Sequence, residues 1–393
     1  MSSRNSKVAL IVSFLLGCTP EPAPGGPGGL CGGPDDTFAC LDQPGPVVQL
    51  DQSYGYEQLR TRYAPNTKVD GRGGVWNMQN YDRTPGRQRY PIMVSGEGLC
   101  IAGARVEGTN PLDVGWMAAY CVGDHSGDKQ CGNAAALSFG RDRDSGHSIV
   151  DGVRLYNVWD GIRPSGNKNS AADNFTIRNV WMSRVRDDAV ENDNLYTGLI
   201  EDSLFDGIFV FLSTRSRKSG PNNVVTVRNN LVRMESFPME DPVCIRRSNG
   251  MCHGAIFKHG SQRGPQLRIT DNLFVWDGNL KEGRIEDIFM HKAVYDKVIE
   301  CRNNTVIWQG SGEFRDRFVA ANPGCFTVLD ATKDPGAMRL WQEAKQNWIN
   351  CHPNVPRRPG DPAPNGACNP NAFGGGQPKP GGCDAEGAEE ASR

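Results

Sequence analysis

One six-residue pattern recurs through the middle of this 393-residue chain and restricts what it can fold into. Val150-Asp151-Gly152-Val153-Arg154-Leu155 is followed by Ile177-Arg178-Asn179-Val180-Trp181-Met182, Ile200-Glu201-Asp202-Ser203-Leu204-Phe205 and Val227-Arg228-Asn229-Asn230-Leu231-Val232. Ile269-Thr270-Asp271-Asn272-Leu273-Phe274 and Cys301-Arg302-Asn303-Asn304-Thr305-Val306 complete the series. Each copy opens on an apolar residue (a cysteine in the last), carries Gly, Asn or Asp two places on, and closes on an apolar residue. The starts lie 27, 23, 27, 42 and 32 residues apart, a spacing that fits the coils of a solenoid, some with inserted loops. Stacked strands lie about 4.8 Å apart, so the apolar positions pile into a continuous interior while Asn or Asp side chains stack and bond backbone amides at the turn. A β-sandwich of alternating strands is the competing architecture, but it gives no reason for asparagines beside aliphatics at coil spacing. A propeller needs a steadier period of about forty residues.

A second segment follows each of the first five copies: Asp160-Gly161-Ile162, Asp187 to Glu191, Asp206 to Phe211, Gly254 to His259 and Asp287 to Lys292. These segments are expected to stack as one further sheet. Aliphatic stacks with an asparagine ladder resemble the pectate-lyase-like β-helix superfamily, over roughly Tyr90 to Gly310. The fold expected is therefore all-β, a single-stranded right-handed parallel β-helix with a short N-terminal cap and a C-terminal capping helix. Tyr54 to Tyr63 reads as a short helix, and Lys68 to Gly73 as a strand entering a tight turn; together they would form the N-terminal cap. Pro335 to Asn350 places Met338, Leu340, Trp341, Ala344 and Trp348 at helical spacing, as a plug protecting edge strands at the open C-terminal end.

The termini differ from the middle. Arg4 and Lys7 precede a run, Val8 to Leu16, that is apolar except for Ser13 and far too short to span about 30 Å of hydrocarbon. Leu15-Leu16-Gly17-Cys18 resembles the lipobox of bacterial lipoproteins, which implies residues 1–18 as signal peptide, lipidation of Cys18, and export to an outer membrane or cell surface. A cleaved secretory signal, leaving a secreted or periplasmic protein, is the alternative. Residues 19–45 read as a Pro/Gly-rich tether, 46–352 as the β-helix domain with its caps, and 353–393 as a Pro/Gly-rich disordered tail. Thirteen cysteines less Cys18 leave an even number in a chain expected to mature in an oxidising compartment. The close pairs Cys31 and Cys40, Cys121 and Cys131, Cys244 and Cys252, and Cys368 and Cys383 suggest local bridges. Zinc is disfavoured, since no C-x-x-C occurs and the histidines miss finger spacing. With 43 basic and 45 acidic residues, no global field favours nucleic acid.

The chemistry concentrates at Arg184 to Asp193, where two arginines, Arg184 and Arg186, accompany Asp187, Asp188, Glu191 and Asp193. If Val190 points inward, alternation turns Glu191 and Asp193 outward, with Asp187 and Asp188 at the preceding turn. Four such oxygen donors suit Ca²⁺, which accepts about six to eight hard ligands; a solvated turn whose aspartates cap amides fits as well. No organic cofactor is expected. In neighbouring coils the same sheet presents Phe209, Phe211, Arg215, Lys258, His259, His291 and Lys292. The aromatics suit sugar rings or a loop-covered core, and the cations suit uronate carboxylates.

The superfamily resemblance implies a lyase of uronate-containing polysaccharide acting by metal-assisted β-elimination. Lys258 would be the base, His259 or Arg215 would assist, and Asp187 to Asp193 would hold the metal. The W-I-D-H and R-x-P-x-x-R signatures of classical pectate lyases are absent. A polygalacturonase-like hydrolase needs a Gly-His-Gly about one coil after its Asp pair, whereas Asp187-Asp188 is followed only by Lys258-His259-Gly260, with His259 71 residues after Asp188, too far for that arrangement. A glycoside hydrolase and a non-catalytic carbohydrate-binding, adhesion or structural lipoprotein therefore stand beside the lyase, each with an acidic polysaccharide or other glycan as partner.

Overall fold

The computed structural model of the chain describes residues 37–79, 90–116, 134–141, 144–165, 172–215, 222–259 and 264–373. Cys18 and the first segments lie outside them, as do Cys31, Cys121, Cys131 and Cys383.

The described chain is mostly parallel β-structure. One sheet contains nine strands: Val47–Gln49, Lys68–Asp70, Cys100–Ala102, Ile149–Asp151, Phe175–Arg178, Gly198–Glu201, Val224–Arg228, Gln266–Thr270 and Val298–Arg302. Their spatial order is their sequence order. Val150 stands opposite Ile177, Ile177 opposite Ile200, Ile200 opposite Val227, Val227 opposite Ile269, and Ile269 opposite Cys301. These are the opening residues of the six sequence copies. Their closing residues pair likewise in a second parallel sheet, Leu155 with Met182, then Phe205, Val232, Phe274 and Val306. The first sheet continues N-terminally through Val69 and Ile101, the latter opposite Val150.

Each copy is thus strand, corner, strand. The corner residues Gly152, Asn179, Asp202, Asn229, Asp271 and Asn303 all take positive φ, between 43° and 63°. Gly, Asn and Asp tolerate that left-handed conformation best, which is why those three residue types recur at the third place. The hydrogen-bonded asparagine stack belongs to the next residue. Asn272 Oδ1 accepts from the backbone N–H of Asn230 at 3.0 Å and from its side chain at 3.1 Å, and Asn304 Oδ1 does the same for Asn272 at 3.1 and 2.9 Å.

A third row carries the second segments. Leu59, Ile92, Leu137, Ile162, Val190, Leu212 and Phe257 pair in succession, and Phe257 bridges Met290. From Ile92 onward they are buried in the same apolar core as the inward residues of the two sheets. Asp287 to Lys292 contributes only that last bridge, because 3₁₀ turns at Ile285–Asp287 and Lys292–Lys297 flank it.

Several expectations need correction. Tyr54 to Tyr63 holds two short strands, Ser53–Gly55 and Leu59–Arg62, since pairing with Val75–Met78 and Ile92–Ser95 outweighs its weak helical pattern. The helix Gly336–Cys351 does not plug an end. Its Ala337, Trp341, Ala344 and Trp348 cover Trp181, Leu204, Leu231 and Leu273, outward residues of successive strands in the second sheet. Phe318, from the short helix Arg317–Ala321, joins the main core instead, stacked 5.3 Å from Phe289. Residues 353–373 are not a loose tail: Val355 is buried, and Asp361 makes two 2.9 Å bonds to buried Arg154. Cys244 bonds Cys252 as expected, but Cys40 bonds Cys100, Cys368 bonds Cys351, and Cys301 bonds Cys325. Only Cys100, Cys252 and Cys301 lie on strands, while Cys40 sits in a 3₁₀ turn and Cys351 ends the helix, so these pairs are set by tertiary packing, which proximity in sequence cannot reveal.

Candidate functional site

The outward side of the third row forms a pocket of about 280 Å³. Its acidic wall comes from adjacent strands. Asp160 opens the strand Asp160–Pro164; Asp187, Asp188 and Glu191 end the long strand Trp181–Glu191; Asp193 follows just after it. A register shift between Val185 and Asp188 interrupts that long strand. Bulges of this kind re-aim side chains, so Asp187 and Asp188 reach the pocket from within a strand rather than from a turn. Arg163, Arg215, Lys258 and Lys281 supply the positive charge, while Trp116 and Phe209 supply apolar surface.

The charges are interlocked. Arg163 bonds Asp160 at 2.9 Å and also contacts Glu191 and the Tyr90 hydroxyl. Lys258 Nζ lies 3.1 Å from Asp188 and 3.4 Å from Asp187. Burial, then Asp188, pushes the Asp187 carboxyl up to about 7 against the pull of Lys258. Burial likewise raises Asp160 well above the carboxylate range, despite Arg163. Burial would lower Lys258, but Asp188 and Asp187 outweigh it and raise the ammonium's pKa above the usual lysine value. A base must shed its proton near working pH, and these aspartates oppose that, so the geometry disfavours Lys258 in that role.

Other expected residues are placed as follows. Arg215 and Phe209 line the pocket, Phe209 also packing in a cluster with Phe237, Met239 and the Cys244–Cys252 bridge. Phe211 is fully buried core. His259 is buried, with Nδ1 2.6 Å from Thr214 Oγ1, and burial, then His291, lowers its pKa to about 4. Arg184 occupies a left-handed corner, φ 53°, and pairs with Glu235 at 2.7 Å. Arg186 is buried, bonding Asn157 and the carbonyls of Pro111 and Val114, so it fixes the loop that carries Trp116. His291 and Lys292 are not among the residues lining the pocket.

The acidic donors differ from the set expected for Ca²⁺. Ligand atoms of Asp160, Asp188 and Glu191 lie within 4.8 Å of one another; Asp187 and Asp193 stand outside that group. Oxygen donors suit a hard cation. All three are nonetheless engaged by Arg163 or Lys258, so the arrangement does not fit a resident ion, and the chemistry below uses none.

Asp160, Arg163, Trp116 and Lys281 were not singled out from sequence. Asp160 had a signal, since it precedes Asp187 by 27 residues, the offset between the copies at Val150 and Ile177. Trp116 and Lys281 arrive on connecting segments and carry no periodic mark. No protein-family model matches the chain, and neither does any curated protein or solved structure.

Proposed function

We propose that this chain is a right-handed parallel β-helix of the pectate-lyase-like kind that hydrolyses glycosidic bonds of an acidic polysaccharide in the pocket of Asp187. The observation that carries the reading is the Asp187 carboxyl, held at about 7 beside Asp188 in a pocket with aromatic and cationic walls. Glycoside hydrolysis needs one carboxyl still protonated near neutrality and a second, charged carboxylate. Asp187 protonates the leaving glycosidic oxygen. Asp188, ion-paired with Lys258, takes the proton of the attacking water. Trp116, backed by buried Phe209, faces the sugar rings, and Arg215 and Lys281 meet their acidic groups.

A lyase is the second reading, favoured by those same two cations, which would neutralise a uronate carboxylate; its base would be a group other than Lys258. The lipobox-like Leu15 to Cys18 supports an exported, lipid-anchored form. Incubation with pectate, alginate and glycosaminoglycans tests the enzyme. New reducing ends without the ultraviolet absorbance of unsaturated products are expected, and they should vanish in Asp187→Asn. Absorbing products would establish the lyase, whereas binding without turnover would overturn both in favour of a carbohydrate-binding module.

A further inference from the structure

Beside the pocket lies a histidine that the proposed chemistry does not use. His253 is fully buried, and both ring nitrogens face oxygen acceptors. Nδ1 lies 2.7 Å from the carbonyl of Gly254, and Nε2 lies 2.9 Å from Asp277 Oδ1 and 3.4 Å from the Asp277 carbonyl. A neutral imidazole donates from one nitrogen only, so satisfying both sides requires the doubly protonated ring. The backbone is tied at the same place: His253 N–H donates to Asn279 O at 2.9 Å, and Lys281 N–H donates to His253 O at 2.8 Å.

Those bonds lead directly to the pocket. Gly254 and Lys281 both line it, and Lys281 Nζ lies 4.7 Å from the centre of the Trp116 ring. Asp277 organises the connecting turn, accepting from Ser236 Oγ at 3.1 Å, Asn279 N–H at 2.9 Å and Asn279 Nδ2 at 3.0 Å. The charge acting on His253 is that of Asp277. Arg233, paired with Asp206 and close to Glu235, feels the same carboxylate from the neighbouring strand, and the Lys281 ammonium lies over the Trp116 ring.

We propose that His253 is a positioning residue: as an imidazolium locked between Gly254 and Asp277, it holds the 277–281 turn and so sets Lys281 against Trp116, and the pocket loses that wall when the proton leaves. Burial alone would lower the histidine's pKa, but the Asp277 carboxylate and the two carbonyls outweigh it and raise it. The clamp is therefore intact below the ordinary histidine range and is lost as pH rises through the raised value. Its effect on ligand rests on the glycan reading; the clamp itself does not.

Hydrogen–deuterium exchange on the full chain tests this at about pH 6 and about pH 9, either side of histidine titration. After correction for intrinsic exchange, protection of 277–283 should fall at least about tenfold at the higher pH, while the strand Gln266–Thr270 stays protected. His253→Asn, which cannot carry charge, should exchange fast in that segment at both pH values. If that variant fails to fold, the wild-type comparison decides alone. Equal protection at both pH values, or a loss shared by the whole chain, overturns the clamp. Oligogalacturonate binding, measured in parallel, should weaken with the same midpoint. A segment that opens while no glycan binds would count against the functional reading only; glycan turnover with a pH-insensitive segment would count against the clamp only.

Discussion

The ammonium of Lys258 lies 3.1 Å from Asp188 and 3.4 Å from Asp187, joining residues 70 and 71 positions apart in the chain. The contact exists because Glu191, Ser213 and Lys258 stand in line on three successive strands of the third row. It sets the proton affinity of the acidic wall. Removing the cation in Lys258→Met should move the Asp187 midpoint upward from about 7 by about one unit or more. Carboxyl-carbon NMR, with Asp187→Asn to assign the resonance, measures this without any substrate. A midpoint that stays put or falls would show that Lys258 does not govern Asp187.

The same carboxyl links stability to pH. Asp187 titrates near 3.8 when exposed and near 7 in the folded chain, so the folded state binds this proton more tightly. Its ionisation therefore weakens the fold progressively between these two values. Asp187→Asn removes that loss. Its melting temperature relative to wild type should climb by a few degrees as pH rises from about 4 to about 7, then level off. A difference that is flat with pH would mean the carboxyl is not raised.

Much of the scaffold was legible because one hexad encodes a complete strand–corner–strand unit. The pairings of Val150, Ile177, Ile200, Val227, Ile269 and Cys301 are those read from the copies, loops of different length notwithstanding. What misled was chemistry the periodicity does not carry. Asn179 and Asn229 sit at left-handed corners, where Asn179 also donates to Asp151 Oδ1 at 2.8 Å, while the continuous ladder is formed one place on by Asn230, Asn272 and Asn304. The helix at Gly336–Cys351 shows its apolar stripe in sequence but not which surface it covers, because Trp181, Leu204 and Leu231 look like further core residues until alternation turns them outward.

At the site, Glu191 and Asp193 followed from simple alternation, whereas the bulge before Asp188 broke it and carried Asp187 along. Phe211 and His259 were lost to the same limit, since nothing in the segment says on which side of the strand they fall. Arg186 had the composition of a substrate-binding residue and proves to be a loop anchor, identifiable only once Asn157, Pro111 and Val114 are brought around it.

The asparagine ladder makes a sharper claim about stability. Asn272 Oδ1 accepts two bonds from Asn230, and its amide also donates to Val227 O at 3.0 Å and Thr270 O at 2.9 Å. Asn272→Ala leaves buried donors of Asn230 without that acceptor and should cost about 2–3 kcal/mol by urea denaturation. Asn303→Ala, at an exposed left-handed corner whose side chain donates to Asp271 Oδ1 at 3.2 Å, should cost about 1 kcal/mol, from backbone conformation and one solvent-exposed hydrogen bond. Equal costs at the two sites would remove the distinction between corner and ladder.

The strongest test of the packed C-terminal segment is Asp361. Arg154 is 1% exposed and holds Asp361 through two 2.9 Å bonds; its guanidinium also lies 4.4 Å from the centre of the Trp181 ring. Burial lowers the pKa of Arg154 and would raise that of Asp361, yet Arg154 pulls Asp361 below the ordinary carboxylate value. The pair therefore stabilises the fold above that ordinary value and fails as acid protonates Asp361. Asp361→Ala abandons a buried cation and should cost about 3 kcal/mol near neutrality, with little further loss on acidification. Adding Arg154→Met should restore much of it, because a buried apolar side chain leaves no charge to solvate. If Asp361→Ala unfolds at the wild-type urea concentration, residues 353–373 do not lie over the second sheet in solution as they do in this structure.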